Sequence, residues 1–494
     1  MIKRSVPAIL FLQTIIFLLT LTSCNGNDHF DPRGRHWPMS PPDIVKVAAG
    51  EKIALALDNH GRVWTWGLSS FNSWQGQEAP GLVPVWTSKG MQLANIEKIA
   101  VGENGVCYAI DNQGQLWAWN DDFFGSEGTA APRTTIYPSK VIFKNGKPFD
   151  HVISVTGAID TSLAMRSDGT VWGWGRNSGG ILTRNPKTWV APKSLFKGLK
   201  EAVQDYFNPT YGSNRLNGAP YPIPILTNDG SPMRDAVAVN GSFSHALVLK
   251  KDGSIWGFGD RPATLWPPGY GMFFDVEHPE FRDWVPTQSI AGRNLGSTKV
   301  KSIITTQIFS VALLSDGTVL TWGDSSYGAL GHGAIFSYIA PGRMRDTRNL
   351  RFRPKSDHDL IPNGPIIQNI KQVATVNEAI ILLTKDGYVL YQGTGFNGTG
   401  VNIKAVNNAD QFHPDNVPIL TEVLNNHGAP FKNVQSIAGN KWYTGLLVDQ
   451  NGDVWAWGDN DGHLCGNSDG PALFPVRLLS YHFDDSLNNW VPNQ

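Results

Sequence analysis

Several short stretches of this chain carry residue types that do chemistry elsewhere. Gly466-Asn467-Ser468-Asp469-Gly470 fits the G-x-S-x-G elbow, which works when a strand-to-helix turn lifts a serine toward a histidine and oxyanion amides. Gly393-Thr394-Gly395-Phe396-Asn397-Gly398 fits G-x-G-x-x-G, which holds a pyrophosphate when a helix follows and offers its N-terminus. Neither has the element its chemistry requires. The first runs on to Phe474-Pro475-Val476, which reads as strand, and the second is followed by TGVNIKAVNNAD, which has no helical period. Asp459-Asn460-Asp461-Gly462 offers oxygens without the glutamate that closes a calcium loop, so it reads as a turn. The 12 histidines contain no HExxH and no pair at metal spacing. The expectation is therefore no catalytic residue, no metal and no cofactor.

Two other clusters have a use without catalysis. Leu21-Thr22-Ser23-Cys24 ends an apolar run from Ala8 to Leu21 that begins after Lys3 and Arg4. That run is short for a membrane span and resembles a bacterial lipobox, in which cleavage precedes the cysteine and its thiol takes a lipid. Cys24 is the expected lipidation site, after a signal peptide over 1–23, and the proline-containing stretch 24–43 reads as a tether. Cys107 and Cys465 lie in non-neighbouring repeats and read as free thiols. The second cluster is cationic: Arg343, Arg345, Arg348, Arg351, Arg353 and Lys355 fall within 13 residues, offset by Asp346. It reads either as a solvated loop or as a contact for an acidic partner.

The elements that must position these groups are written in repeats. SDGTVWGWG at 167 returns as NHGRVWTWG at 59, NQGQLWAWN at 112, KDGSIWGFG at 251, SDGTVLTWG at 315, KDGYVLYQG at 385 and QNGDVWAWG at 450. A catalytic site is not written seven times, so the phrase is architectural. In the first unit, IVKVAAG at 44–50 and IALALDN at 53–59 read as strands, followed by RVWTWG at 62–67 and VPVW at 83–86. The turn glycines Gly61, Gly114, Gly169, Gly253, Gly317, Gly387 and Gly452 mark a hairpin between the second and third strands of each unit. Ten of the 18 tryptophans lie in the phrase and are expected in the core.

The phrase xDGxVWxWG, followed once by DSSYGALGHG at 324–333, resembles the regulator of chromosome condensation repeat over roughly residues 44 to 480. Asn120 stands where the closing glycine is expected, and repeat six has no tryptophan. The resemblance implies an all-β, seven-bladed β-propeller of four-stranded antiparallel blades over 44–480, closed by its N- and C-terminal strands, with a tail over 481–494. Phe474 to Leu478 is expected to complete the blade formed by residues 44–67. The family includes a nuclear exchange factor that binds chromatin, and β-lactamase-inhibitor-type secreted propellers that grip a protein with one face. A lipobox excludes the nuclear role.

Formal net charge is −1 and 17% of residues are charged, so no basic field exists to draw nucleic acid. The expected function is a non-enzymatic, lipid-anchored extracytoplasmic scaffold. It would be a monomer, held to the membrane by lipid alone and binding a protein or cell-envelope partner. The alternative is a glycan-acting envelope enzyme with carboxylates at the channel mouth. The distance from the phrase's last residue to the next proline is 17 or 18 in repeats one, two, three and seven, and 27, 39 and 25 in repeats four to six. These three insertions are expected to form one patch on one face. It would hold Trp266, Tyr270, Phe273, Phe274, Phe336, Tyr338 and Phe352 beside Arg343, Arg345, Arg348, Arg351 and Arg353. A further insertion near 199–233 is expected on the opposite face.

Overall fold

The computed structural model describes residues 28–30, 36–38, 42–67, 81–120, 128, 137–175, 181–182, 219–259, 283–348, 360–394, 416–440 and 444–493, with short breaks at 228, 243–244, 290, 293–294, 326–327, 334–337, 362, 377, 461, 467–469, 485 and 488. Among these residues every regular element is a strand. Twenty-eight of them form seven four-stranded antiparallel sheets, each using four consecutive strands in chain order. The first strands of neighbouring sheets touch one another around the ring, which places them at the axis and makes each sheet a blade. The architecture is a seven-bladed β-propeller running from Ile44 to Leu478.

The repeated phrase builds the middle of each blade. In blade one the second strand is Ala54–Asp58 and the third Val63–Trp66, and both are buried along their whole length. They are buried on both sides because each blade is covered by a neighbour on either face. Seven hydrophobic clusters result, one at each junction between consecutive blades. The ten phrase tryptophans are all buried or half-buried, with Trp64, Trp66, Trp174, Trp322 and Trp457 closed off fully. Three of the indole N–H groups find aspartates: Trp64, Trp117 and Trp455 donate to Asp58, Asp111 and Asp449, at 3.1, 3.0 and 3.0 Å, whereas Trp322 Nε1 is buried with no partner among the described residues. Burial without those acceptors would strand a polar group.

The turn glycines sit at φ between +74° (Gly61) and +85° (Gly253), the left-handed region that only glycine enters without strain. Each turn also clasps the next blade. At six junctions the amide at the head of the following first strand donates to the carbonyl of the turn glycine, for example Ile96 to Gly61 at 2.9 Å and Val434 to Gly387 at 3.1 Å. The phrase-closing position is left-handed as well, and a Cβ at Gly175 would lie 2.3 Å from the Asp160 carbonyl. Asn120 takes that conformation at φ +88° and donates its side-chain amide to Gly105 O at 2.8 Å. This explains why asparagine replaces glycine there.

The ring closes by its terminal blades, but not by the strand exchange expected from the sequence. Ala472–Leu478 pairs with Val454–Gly458 of its own blade seven, in a register that sets Arg477 opposite Trp455. Blade one already has a fourth strand in Val83–Pro84. The seam is made as at the other junctions: Ile44 N donates to Gly452 O at 3.2 Å, and one cluster contains Trp64 and Trp66 together with Leu446 and Leu464. Beyond blade seven, Leu479 O accepts from Leu82 N at 2.9 Å and Tyr481 N donates to Leu82 O at 2.8 Å, so the chain end lies along the outer edge of blade one. The expected tail forms a hairpin of Tyr481–Asp484 with Asn489–Pro492, and within the expected tether Asp28–Phe30 pairs with His36–Pro38. Cys24 and the signal segment lie outside the described residues. Cys107 and Cys465 are free and buried, as the sequence suggested.

Candidate functional site

Four antiparallel strands per blade fix what each end of the ring displays. One end, the loop face, carries the turns between first and second strands and the connections between third and fourth. The other, the turn face, carries the glycine turns and the links from one blade to the next. Around the axis the loop face is knitted by polar groups. Ser242 Oγ donates to Glu103 Oε1 at 2.6 Å, joining blade four to blade two past blade three. His245 Nε2 and Thr305 Oγ1 lie 2.6 Å apart, and the same hydroxyl meets Ser310 Oγ at 2.9 Å. Tyr108 OH lies 2.5 Å from Ser162 Oγ. These bonds fasten blades together: His245 is fully buried, and its Nε2 is spent on a neighbour's hydroxyl.

The connections on this face begin close to the core. In blade five, Ala329 and Leu330 of the GALG stretch are buried, and Gly328 O accepts from Gln392 Nε2 of blade six at 2.9 Å. At the seam, Leu464 O accepts from Trp66 Nε1 at 3.0 Å in the same way. Gln392 therefore does in blade six what tryptophan does in the first repeat. His332 is half-buried with Nε2 3.1 Å from Thr321 O, and burial holds its ring below the ordinary histidine value despite that carbonyl. Near Asp459, Asn460 Oδ1 accepts from Cys465 N at 2.8 Å, so that stretch is the turn expected. Ser468 lies outside the described residues.

The strands place three lengthened connections on the loop face, and one lengthened link, 344–369 between blades five and six, on the turn face. Between third and fourth strands, residues 176–218 are inserted in blade three, 260–282 in blade four and 395–415 in blade six. This corrects two expectations. The fourth strand of blade three is Ala219–Pro224, so the long insertion there shares the face of the others rather than opposing them. In blade five the fourth strand is Tyr338–Arg343, so the 39-residue gap to the next counted proline is not one loop. That strand splits the expected patch. Tyr338 pairs with Asp324 at the loop face, whereas Arg343 pairs with Leu320 toward the turn face. The five intervening steps span roughly 17 Å.

Arg345 and Arg348 follow Arg343 into the link to blade six, where Arg345 bridges Ile366. All three described arginines are engaged at home. Arg343 meets Asp316 at 3.0 Å and bonds the Thr318 hydroxyl; Arg345 donates to Gly364 O at 3.4 Å; Arg348 meets Asp346 at 2.7 Å and Glu422 at 3.5 Å. Burial pushes the Asp316 carboxyl up, but the hydrogen bonds from Thr318 and Arg343 outweigh it and hold the group down to about 2. Trp266, Tyr270, Phe273, Phe274, Phe336, Arg351, Phe352 and Arg353 lie outside the described residues, as does the Tyr338 side chain.

Seven blades with this phrase and this turn geometry match a known architecture. The chain is a seven-bladed β-propeller similar to RCC1-repeat proteins. Residues 44–73 match the model of the regulator of chromosome condensation (RCC1) repeat. Among curated proteins it is similar to mouse (Mus musculus) E3 ubiquitin-protein ligase HERC2, 25% identical over 292 residues, 59% of this chain and 5% of that protein. It is also similar to the ultraviolet-B receptor UVR8 of Arabidopsis thaliana, 20% identical over 394 residues, 80% of this chain and 73% of the receptor. The chain thus spans a small fraction of the length of HERC2. Among solved structures, Prp20p from Saccharomyces cerevisiae aligns with a TM-score of 0.55 and 18% identity over 86% of this chain and 87% of its own; its binding to Gsp1p and histones was studied with that structure.

Proposed function

We propose that this RCC1-like propeller is a non-enzymatic binding scaffold, tethered through a lipid on Cys24 outside a bacterial cytoplasmic membrane, that holds a protein partner with its loop face. The observation that carries the reading is the placement of the insertions. Blades three, four and six all lengthen the same connection, while the second-to-third-strand turns stay tight throughout the ring. Loops on a rigid ring are an economical way to present a binding surface, since lengthening them costs little stability. The Prp20p comparison supports a protein as the partner class. Trp266, Tyr270, Phe273 and Phe274 belong to the blade-four insertion and Phe336 to the blade-five connection, with Tyr338 at its root. Those aromatics are the proposed anchors.

The test uses affinity capture from solubilised envelopes followed by titration of the recovered partner. Replacing 262–280 with a short glycine-serine link is expected to weaken binding by at least ~2 kcal/mol, whereas replacing 349–358, in the link from blade five to blade six, leaves it unchanged. The reverse order of effects overturns the assignment of the face. Separately, Cys24→Ala is expected to shift the protein out of the detergent phase or leave its precursor uncut; unchanged partitioning and processing would overturn the anchor.

A further inference from the structure

The first strand of every blade departs from regular pairing at the same place. In all seven, the register shifts between the first and third residues, leaving the second as a β-bulge. A bulge bends its strand and re-aims side chains. These bulges lie at the turn-face ends of the inner strands. At the loop-face ends the same strands crowd together: a Cβ on Gly50 would lie 2.6 Å from Val101 Cγ1, one on Gly157 2.6 Å from Gly102 Cα, and one on Gly439 2.4 Å from Thr375 O. The inner strands are therefore crowded at the loop face and bent by bulges at the turn face.

Side chains around the turn-face end of the axis are sorted by charge. Lys301 of blade five, Lys371 of blade six, Lys46 of blade one and Lys98 of blade two are all exposed at or next to the bulge, and Glu97 is the one exposed carboxylate among them. Blades three and four place Ile153 and Val237 there instead, 38% and 45% exposed. Lys98 Nζ donates to Ile153 O at 2.6 Å and Lys371 Nζ to Gln435 O at 3.0 Å, so each ammonium leans along the ring toward the next blade and keeps two N–H groups. Lys46 and Lys301 have no partner among the described residues. Four lysines against one glutamate, in a chain of net charge −1, is a local concentration of positive charge walled by low-dielectric protein.

We propose that the turn-face end of the axis is a second binding site, which takes an extended acidic peptide segment bearing an apolar side chain. Its carboxylates would face the lysine arc, and its apolar group would cover Ile153 and Val237. A bare inorganic anion would use the lysines and leave the apolar arc uncovered, so the peptide fits more of the site.

Fluorescence anisotropy of the full chain with a labelled peptide of alternating glutamate and leucine tests this, alongside titration with inorganic pyrophosphate. Saturable, salt-sensitive binding is expected, weakened about tenfold or more by the double variant Lys301→Glu/Lys371→Glu. The control Lys147→Glu/Lys385→Glu, on exposed turns of the same face away from the axis, is expected to stay within about twofold. Ile153→Asp is expected to weaken the peptide but not pyrophosphate. Thermal melts check that each variant is folded. The proposal falls if the full chain shows no saturable binding, or if both double variants lose equally. It also falls if Ile153→Asp leaves the peptide unaffected while pyrophosphate competes at similar affinity, because the surface would then be a small-anion site.

Discussion

If the seam is an ordinary blade junction, breaking it should cost as much as breaking any other. Trp66 is the place to ask. Its side chain is fully buried in the cluster shared by blades one and seven, and its indole N–H donates to Leu464 O across the seam at 3.0 Å. Trp66→Ala removes that apolar contact and leaves a cavity, for which buried Trp→Ala changes cost about 3–5 kcal/mol. The orphaned Leu464 carbonyl adds about 1 kcal/mol. Trp66→Phe keeps most of the apolar area and loses the hydrogen bond, so it is expected to cost about 1–2 kcal/mol. Trp256→Phe is the control, because Trp256 is half-buried and bonds Ser254 within its own turn at 2.9 Å. It should cost under about 1 kcal/mol. Equilibrium denaturation followed by circular dichroism and tryptophan fluorescence measures all three. The reasoning is refuted if Trp66→Ala loses less than about 1 kcal/mol, or if blade one melts alone while the remaining signal keeps its midpoint.

Three further outcomes are expected. Truncation after Leu478 removes the two bonds to Leu82 but leaves the fourth strand of blade seven, so stability should fall by about 1–3 kcal/mol in a thermal or denaturant melt; an unchanged midpoint would count against the edge contact. Asp316 is held at about 2 in the folded chain against an ordinary 3.8, so its stabilising effect is full above the unfolded value and fades as pH falls through about 2. Asp316→Asn should therefore lower stability at neutral pH by under about 1 kcal/mol, given its solvent exposure, with the gap to the parent closing on acidification. Cys465, whose thiol burial pushes up to about 12, should react with a thiol reagent only at the rate of unfolding, and rapid labelling of the native chain would contradict its placement.

The fold was legible because its signals are local and were repeated. A D-G or N-G turn, a β-branched first strand and a tryptophan strand each carry their own chemistry, and every turn glycine adopts the predicted left-handed backbone. Even the departures kept the logic: Asn120 tolerates positive φ, and Gln392 supplies an N–H where the first repeat has the Trp66 indole. Fourth strands were read less well. They are outer edges, where proline is tolerated, as in APYPIP, YIAPGR and ALFPVRL. Proline also fills loops, so Pro192 and Pro362 looked like strand markers when the strands were Ala219–Pro224 and Tyr338–Arg343.

That error had a functional consequence, because a fourth strand decides which face a loop belongs to. Moving it past an insertion transfers the whole insertion to the other end of the ring. Blade three thereby joined the loop face, and the arginines left it. Sequence proximity had grouped Tyr338 with Arg343, yet a strand of six residues separates two faces as surely as a domain boundary would. The lysines at the axis were invisible for the opposite reason. Lys46, Lys98, Lys301 and Lys371 are scattered over 326 positions and belong to no motif; only the stacking of first strands around one axis brings them to a common rim. Charge in a propeller is therefore read by blade position rather than by run length. On that basis the described arginines of the run are engaged by Asp316, Asp346, Glu422 and the Gly364 carbonyl, while the dispersed lysines keep donors open to an incoming anion.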